Sequence, residues 1–300
     1  MAPPTSTRTV ALGGGRTLTL DDAGDPAGVP VLFLHGTPDS RLARHPDDDL
    51  AAACGVRLLA VDRPGYGGTS PAAGPWSDGW PRAVAADVVT ALDALGVGRC
   101  AVLAWSGGAL TGAALASTLP DRVAALGIVA GLVPRQAYDD PDVRAAGEAR
   151  LGVIELADMV SPGALGDEVA PMVAPFPCDL TLATEHQAEH RSAADAAELA
   201  AVPGGVEAMA AGLVEGVRVG LAGVAADIEA QARPLAIDLS SIAVPTHLWY
   251  GAADVVTPPA FGRWYEEHLP DATLTIVEDG AHYLAFTRWT EMLRTLASVA

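Results

Sequence analysis

The sequence predicts an α/β fold with a mostly parallel central sheet and helices on both faces. Residues 30–34 and 57–61 are short apolar runs, too uniformly apolar for half-exposed strands. Helical patterns at 80–95 and 109–119 alternate with such runs, and this alternation implies right-handed crossovers between parallel strands. Hydrophobic residues make up 50% of the 300 residues, so the chain has enough apolar surface to bury one large core.

The elements follow in an order that divides the chain into a core and an inserted segment. An amino-terminal hairpin spans 9–20 around three glycines, and further strands are predicted at 100–104, 123–130, 246–250 and 272–277, with a closing helix at 284–297. Between the strands at 123–130 and 246–250 the sequence is rich in Ala, Glu and Asp with helical periodicity. We therefore predict a core of residues 1–133 and 235–300, and a helical cap of residues 134–234 inserted before the last two strands.

The most informative stretch lies where a buried-strand pattern meets a helix. Cys100 to Ala104 is apolar, Ala109 to Leu119 has the composition of a helix packed on a sheet, and Ser106 stands between them. A serine at such a turn needs small residues two positions before and two after it, here Ala104 and Gly108. This pattern predicts a nucleophile elbow with Ser106 as the nucleophile, although alanine occupies the first small position, where glycine is usual.

Two downstream residues complete a candidate triad. Asp254 and His282 each follow an apolar strand-like run by a few residues, and the carboxyl ends of parallel strands lie along one edge of a sheet. A serine hydroxyl needs a base to take its proton, so we expect His282 to serve as that base and Asp254 to orient it. Asp62 also ends a strand at this edge and is the rival for the acidic position.

A further element follows the strand at 30–34, in His35-Gly36-Thr37-Pro38. Attack on an acyl carbon places negative charge on the carbonyl oxygen, which backbone N–H groups must receive. We expect Thr37 and Gly107 to supply those donors, because Pro38 has no N–H. His35 is expected to hold this loop by hydrogen bonds rather than to act as the base.

Together these motifs resemble the α/β-hydrolase superfamily over nearly the whole chain. The oxyanion loop, the stretch Asp62-Arg63-Pro64-Gly65-Tyr66-Gly67-Gly68, the elbow, Gly251-x-x-Asp254 and Gly280-Ala281-His282 occur in the family's order. The resemblance implies an α/β-hydrolase fold, a Ser106–His282–Asp254 triad and a cap that selects substrates. A serine at the elbow disfavours epoxide hydrolases and haloalkane dehalogenases, which use aspartate there.

The function that this resemblance implies is hydrolysis of an ester or related acyl bond of a small molecule through a Ser106 acyl-enzyme. Two alternatives stay open. Trp105-Ser106-Gly107-Gly108 and Asp62-Arg63-Pro64-Gly65 resemble proline iminopeptidases, where cap residues such as Glu185 or Glu215 would bind a substrate ammonium. A nonhydrolytic cyclase, lyase or ligand-binding member of the fold is the other alternative.

The acyl pocket is the part of the site about which the sequence says least. Trp105 adjoins the nucleophile, and Phe176 lies in the predicted cap, so both are candidates for this pocket. The apolar cap residues Met159, Met172, Met209 and Leu213 are further candidates, but ordinary helix packing explains such residues more often.

Charge and composition limit the partners. The formal net charge is −19, with 18 basic against 37 acidic residues, so no basic face for nucleic acid is expected. Apolar runs are shorter than the roughly 18 residues that span a bilayer. The amino terminus lacks a signal-peptide pattern, so we expect a small acyl compound as partner, no membrane association and a cytoplasmic location.

Cofactors and metals are not expected. Cys54, Cys100 and Cys178 are widely separated and predict neither a disulfide framework nor a metal site. His186-Gln187-Ala188-Glu189-His190 matches a zinc-peptidase pattern, but it lies in the predicted cap without an identifiable third ligand. Two solvated histidines on a helix face are the simpler interpretation.

Overall fold

The computed structural model describes residues 4–73, 80–173, 177 and 179–300. Its strands are β1 (Ser6–Ala11), β2 (Thr17–Gly24), β3 (Val29–Leu34), β4 (Val56–Val61), β5 (Cys100–Trp105), β6 (Val123–Val129), β7 (Thr246–Gly251) and β8 (Ala272–Val277). Its helices are α1 (Asp49–Ala53), α2 (Trp80–Ala94), α3 (Gly108–Thr118), α4 (Pro141–Ala146), α5 (Leu151–Met159), α6 (Ala164–Val173), α7 (Leu180–His190), α8 (Ala193–Ala200), α9 (Gly205–Gly216), α10 (Ala222–Ala232), α11 (Pro259–His268), α12 (Leu284–Thr287) and α13 (Trp289–Val299).

The eight strands form one sheet in the order β1-β2-β4-β3-β5-β6-β7-β8. β1 and β2 form the antiparallel hairpin, β2 pairs antiparallel with β4, and the remaining neighbours are parallel. The predicted fold class is therefore confirmed. Parallel pairing of β3, β5 and β6 brings their carboxyl ends to one edge, which is where ligands bind in open sheets of this kind.

Alternate residues of the central strands are buried on opposite faces of the sheet, in two separate hydrophobic layers. On β5, Val102 and Ala104 belong to the layer shared with α2, α3 and α11, whereas Leu103 and Trp105 belong to the layer shared with α1 and α13. This period of two is the expected consequence of strand geometry. With both faces covered by helices, the strands are apolar along their length, which explains their continuous hydrophobic runs.

The predicted closing helix is two helices. α12 ends at Thr287 and α13 begins at Trp289, with Arg288 between them at φ −107° and ψ 14°, outside the helical range. The break accompanies the burial of Trp289, whose ring lies edge-on to Phe33 with centroids 5.4 Å apart. An uninterrupted helical pattern in the sequence does not signal this change of direction.

Helices α4 to α10 lie between β6 and β7 in the chain, and several contact the loops at the carboxyl edge. Gly223 N–H of α10 donates to Gly65 O at 3.2 Å, and Gly67 N–H donates to Gly216 O of α9 at 3.2 Å. A Cβ on Gly223 would overlap the Tyr66 ring, so glycine permits this close approach. The residue limits 134–234 for a separate cap stay a prediction.

In the described part of the chain, no single helix has the length and hydropathy needed to cross a membrane. α8 and α9 satisfy that test only as a pair, and the pair is bent by 108°.

Candidate active site

Ser106 sits at a strained turn between β5 and α3. Its φ is +53°, in the left-handed region that few residues other than glycine adopt. The close packing around the turn explains its small residues. A Cβ on Gly108 would lie 2.5 Å from Leu34 O, and one on Gly107 would lie 2.3 Å from Thr37 Oγ1.

The alanine at position 104 is accommodated by a second glycine. A Cβ on Gly112, one turn into α3, would lie only 2.8 Å from the Cβ of Ala104. The methyl group that other elbows exclude at the strand is thus admitted because the facing helix lacks one at 112. The departure from the usual motif therefore leaves the strand-to-helix turn intact.

The structure brings Ser106, His282 and Asp254 into one hydrogen-bonded chain. The Ser106 hydroxyl lies 3.0 Å from His282 Nε2, and His282 Nδ1 lies 2.9 Å from Asp254 Oδ2. In the tautomer that satisfies both contacts, Ser106 donates to Nε2 and Nδ1–H donates to Asp254. All three side chains are buried. This is the geometry in which a base can take a serine proton.

Asp254 is held as a carboxylate by its surroundings. It accepts hydrogen bonds from Val256 N at 2.7 Å, Thr257 N at 2.9 Å and Thr257 Oγ1 at 2.6 Å. Burial raises the pKa of Asp254, but the charge of His282 and the hydrogen bonds from His282 and Thr257 outweigh it, so that the pKa is lowered overall. The carboxylate is therefore ionised at neutral pH and can stabilise an imidazolium.

Asp62, the rival for the acidic position, lies in a different network. Its carboxylate accepts from Arg41 Nη1 at 2.8 Å, Arg41 N at 2.8 Å and Gly68 N at 2.9 Å. These contacts tie together the loops after β3 and β4. Among the described contacts of Asp62, none involves His282, so the geometry favours Asp254.

The two expected oxyanion donors come from the loop after β3, which carries Thr37, and from the start of α3, where Gly107 lies. The ideal Cβ position of Gly107 lies 3.5 Å from Thr37 N, so the two backbones adjoin beside Ser106. Within the described residues, neither the Thr37 nor the Gly107 N–H donates a hydrogen bond. Two adjacent, unused backbone donors next to a nucleophile are what a developing oxyanion requires.

His35 and Arg63 hold this loop. His35 Nε2 accepts from Arg63 N at 3.0 Å, and its Nδ1 lies 2.8 Å from Gly36 O. Arg63 donates to His35 O at 2.9 Å and to Gly36 O at 2.7 Å. Burial lowers the pKa of His35 well below its ordinary value, and the charge of Arg63 lowers it further, so the imidazole is neutral.

A carboxylate of α10 completes the support of the loop. Asp227 forms a two-pronged ion pair with Arg63, both distances being 2.6 Å, and accepts from Tyr66 OH at 2.6 Å. It also accepts from the hydroxyl of Thr37. Asp227 cannot be identified from the sequence, because a lone aspartate on a helical pattern carries no local signal for a partner so distant in the chain.

Two adjoining cavities open beside the nucleophile. The first, of about 270 Å³, contains Ser106 and His282 and is lined on other sides by Thr37, Trp105 and Met209. The second, of about 420 Å³, is mostly apolar, with Val133, Val153 and Ile154 in its wall. Leu132, Arg150, Gln231 and Val256 line both. A substrate could therefore extend from the nucleophile into an apolar chamber.

The pocket candidates differ in where they lie. Trp105 lines the first cavity, and its indole N–H donates to His282 O at 2.9 Å. The side chain therefore borders the substrate space and also holds the loop of His282. Met209 and Leu213 line the same cavity, whereas Met159 is 76% exposed. Phe176 and the side chain of Met172 fall outside the described residues.

The remaining candidates are placed as follows. His186 and His190 lie one turn apart on α7 with ring centroids 4.3 Å apart, and both line the first cavity. The described residues contain no group of three His, Cys, Asp or Glu side chains suited to a metal. Cys54 and Cys100 are free thiols, and Cys178 is not described. Glu185 is exposed, and Glu215 pairs with Arg41 at 2.7 Å.

Comparisons with known proteins agree with this fold. A family model for the alpha/beta hydrolase fold matches residues 29–147. A pimeloyl-(acyl-carrier protein) methyl ester esterase of Neisseria meningitidis is 30% identical over 255 residues, which cover 84% of this chain and 86% of that enzyme. A proline iminopeptidase of Neisseria gonorrhoeae is 32% identical over 112 residues, which cover 35% of this chain and only 34% of that enzyme.

A solved structure supports the fold over the full length. The bromoperoxidase from Bacillus anthracis matches with a TM-score of 0.69 at 20% identity, covering 98% of this chain and 99% of that one. Identity at that level is evidence for the fold alone. With the sheet order, the family model and the esterase relative in agreement, the chain belongs to the α/β-hydrolase family and is a hydrolase.

Proposed function

We propose that this protein is a serine hydrolase that cleaves the ester bond of a small acyl compound through a covalent acyl-Ser106 intermediate. The observation that carries the proposal is the hydrogen-bonded chain from Ser106 Oγ through His282 to Asp254. No resident cofactor has a role in this chemistry.

In the first half of the reaction, His282 Nε2 takes the proton of Ser106 as Oγ attacks the ester carbonyl. The carbonyl oxygen becomes an oxyanion that the N–H groups of Thr37 and Gly107 receive. The ester C–O bond then breaks, and His282 returns the proton to the departing alcohol. In the second half, water attacks the acyl-enzyme by the same route and the free acid leaves.

The two cavities support an ester with an apolar acyl or alcohol part. The chamber of about 420 Å³ is lined mainly by aliphatic side chains and adjoins the cavity of Ser106. The esterase relative, whose name describes hydrolysis of a methyl ester, supports the same bond type. The absence of nucleic-acid and membrane partners and a cytoplasmic location stay predictions.

The iminopeptidase alternative rests on a match of 112 residues to a proline iminopeptidase. That activity requires an acidic group to bind a substrate ammonium. Two arginines line the first cavity, and burial raises the pKa of its acidic residue, Asp39, to about 8. Glu215 already forms ion pairs with Arg41 and Arg218. Ester hydrolysis is therefore the better-supported function.

The test is steady-state hydrolysis of p-nitrophenyl butyrate and of proline β-naphthylamide by wild type and Ser106→Ala. We expect turnover of the ester, a loss of at least roughly 10³-fold in Ser106→Ala, and little turnover of the amide. Ser298→Ala, at an exposed serine of α13, is the matched control and should be unaffected.

Other outcomes separate the alternatives. Preference for the prolyl amide would replace the esterase proposal by the iminopeptidase one, and full activity in Ser106→Ala would overturn both. Products whose masses sum to that of the substrate, without the added mass of water, would indicate a cyclase or lyase.

A further inference from the structure

The cavity beside Ser106 gathers basic side chains in a strongly acidic protein. Arg150, Arg191, His186 and His190 all line it. The chain contains 18 arginines and no lysine against 37 acidic residues, with a formal net charge of −19. A concentration of basic groups at the nucleophile is therefore the opposite of what the composition favours.

Arginines elsewhere in the described structure are largely matched with carboxylates. Arg16 pairs with Asp87, Arg57 with Asp22 and Arg63 with Asp227. Within the residues described, neither Arg150 nor Arg191 forms an ion pair with a carboxylate. Their contacts are neutral and lie within the wall of the cavity itself.

Arg150 lies at the junction of the two cavities. Its Nη1 donates to Gln231 Oε1 at 3.2 Å. Burial lowers the pKa of the Arg150 guanidinium, against the influence of Tyr138 and Asp254, which raise it. A guanidinium remains protonated in proteins, so its lost hydration is a free-energy cost that an anion in the cavity would offset.

Arg191 lines the same cavity and carries a buried donor without a partner among the described residues. It donates to Gln187, and its guanidinium lies over the Tyr283 ring, 5.3 Å from the centroid. Its Nε is buried and has no hydrogen-bond partner among the described residues. A buried N–H of a charged group without an acceptor is costly, and an anion bound to this guanidinium would offset that cost.

The acid in this wall does not neutralise the arginines. Asp39 lines the cavity, is 6% exposed, and its Oδ1 accepts no hydrogen bond from a described residue. Burial raises the pKa of Asp39 to about 8, although the charges of Arg63 and Arg191 oppose the change. At neutral pH the side chain is mostly protonated, and the wall keeps its positive charge.

Resting on the proposed esterase function, we propose that this enzyme selects esters carrying an anionic group that Arg150 and Arg191 bind within the cavity of Ser106. Guanidinium groups suit carboxylate and phosphate equally in geometry. The apolar remainder of the substrate extends past Arg150 into the chamber that Val153 and Ile154 line. A carboxylate on the acyl side and a phosphate on the alcohol side are the two sources of such an anion.

The experiment compares matched neutral and anionic esters. On the acyl side, mono-p-nitrophenyl glutarate is compared with p-nitrophenyl valerate. On the alcohol side, 4-acetoxyphenyl phosphate is compared with 4-methylphenyl acetate, with products separated by chromatography. The variants are Arg150→Gln and Arg191→Gln, and Arg144→Gln, at an exposed arginine of α4, is the control.

We expect wild type to favour at least one anionic ester over its neutral match by about 10-fold or more in kcat/KM, as charge-assisted hydrogen bonds allow. Arg150→Gln and Arg191→Gln should each lower that ratio by about 10-fold, and Arg144→Gln should leave it unchanged. The ester pair that shows the preference, acyl-side or alcohol-side, identifies which side of the substrate carries the anion.

Two results would contradict the anion site while leaving the esterase proposal intact. In the first, hydrolysis depends on Ser106 but wild type prefers neither anionic ester over its neutral match. In the second, the ratio of kcat/KM for the anionic over the neutral ester is unchanged in both Arg150→Gln and Arg191→Gln. If no ester is hydrolysed, the esterase proposal fails. The anion site is then tested by glutarate and inorganic phosphate, at least one of which must raise the Tm of wild type and not that of Arg150→Gln.

Discussion

The Asp195 carboxylate of α8 accepts a hydrogen bond of 2.8 Å from the backbone N–H of His282. One turn further along α8, Glu198 accepts from the N–H of Ala281 at 2.9 Å. Both carboxylates are buried. A helix between β6 and β7 therefore holds the loop that carries the candidate base, and the orientation of His282 depends on how that helix is seated.

Removing the Asp195 carboxylate should lower turnover more than it lowers substrate binding. We expect Asp195→Ala to reduce kcat by about 10-fold or more with a smaller change in KM, because small displacements of a catalytic group are costly. Asp195→Asn keeps an acceptor and should recover most of the loss. Steady-state kinetics on p-nitrophenyl butyrate measure both quantities.

Ser192→Ala is the control, because Asp195 also forms a capping box with Ser192 at the start of α8. That variant should lose about 1 kcal/mol of stability while keeping kcat. A wild-type kcat in Asp195→Ala would show that the contact to His282 is structural only.

Asp227→Asn should weaken both folding and catalysis. It leaves the buried Arg63 guanidinium without its counter-charge, at a cost of about 3–5 kcal/mol, and loosens the loop that carries Thr37. Urea denaturation should show the lost stability, and kcat of the folded fraction should fall.

The matched control is Asp93→Asn, which breaks an ion pair with Arg122 at a site where Asp93 is 62% exposed. Exposed pairs contribute about 1 kcal/mol or less. If the two variants lose equal stability and both keep their kcat, α10 has no part in holding the oxyanion loop.

Replacing the two candidate acids, Asp254 and Asp62, should have opposite effects on kcat and on stability. Asp254→Asn should lose about 10³-fold or more in kcat while remaining folded, since the amide no longer fixes the tautomer of His282. Asp62→Asn should keep its kcat and lose stability, because Asp62 accepts from Arg41 and Gly68. Steady-state kinetics and thermal melts of both variants measure these effects. A loss of kcat in Asp62→Asn with a normal kcat in Asp254→Asn would assign the acidic role to Asp62.

Asp39 should make stability fall as pH rises. Its pKa is about 8 in the folded chain, where Arg63, Arg191 and Tyr283 face it, against an ordinary value of 3.8. Between these values the folded state binds a proton that the unfolded chain has released, so rising pH favours unfolding. The Tm advantage of Asp39→Asn over wild type should therefore grow from pH 4 to pH 8 and level off above.

Thermal melts across this pH range measure the effect, with Asp121→Asn, an exposed aspartate, as control. A difference between Asp39→Asn and wild type that is the same at every pH would mean that Asp39 titrates normally.

The sequence predicts the sheet well because the signal is local. Strands buried on both faces must be apolar throughout, so β3, β4 and β5 were bounded to within a residue. The convergence of Ser106, Asp254 and His282 also follows from sequence, since each comes just after a parallel strand. The carboxyl ends of these parallel strands lie along one edge of the sheet, which brings the three residues together.

The contacts that support the site have no such signal. Asp195 and Asp227 lie on helices far along the chain from the loops that they contact. Their helical patterns indicate only which residues are polar. Gly112 likewise looks like an ordinary small residue until the packing of α3 on Ala104 is known.

The most direct measurement is the intact mass of the protein after incubation with a fluorophosphonate, for wild type and Ser106→Ala. We expect one covalent adduct on wild type, located on the peptide that contains Ser106, and none on Ser106→Ala. A folded wild type that takes up no adduct, or an equal adduct on both proteins, would contradict an activated serine at the elbow.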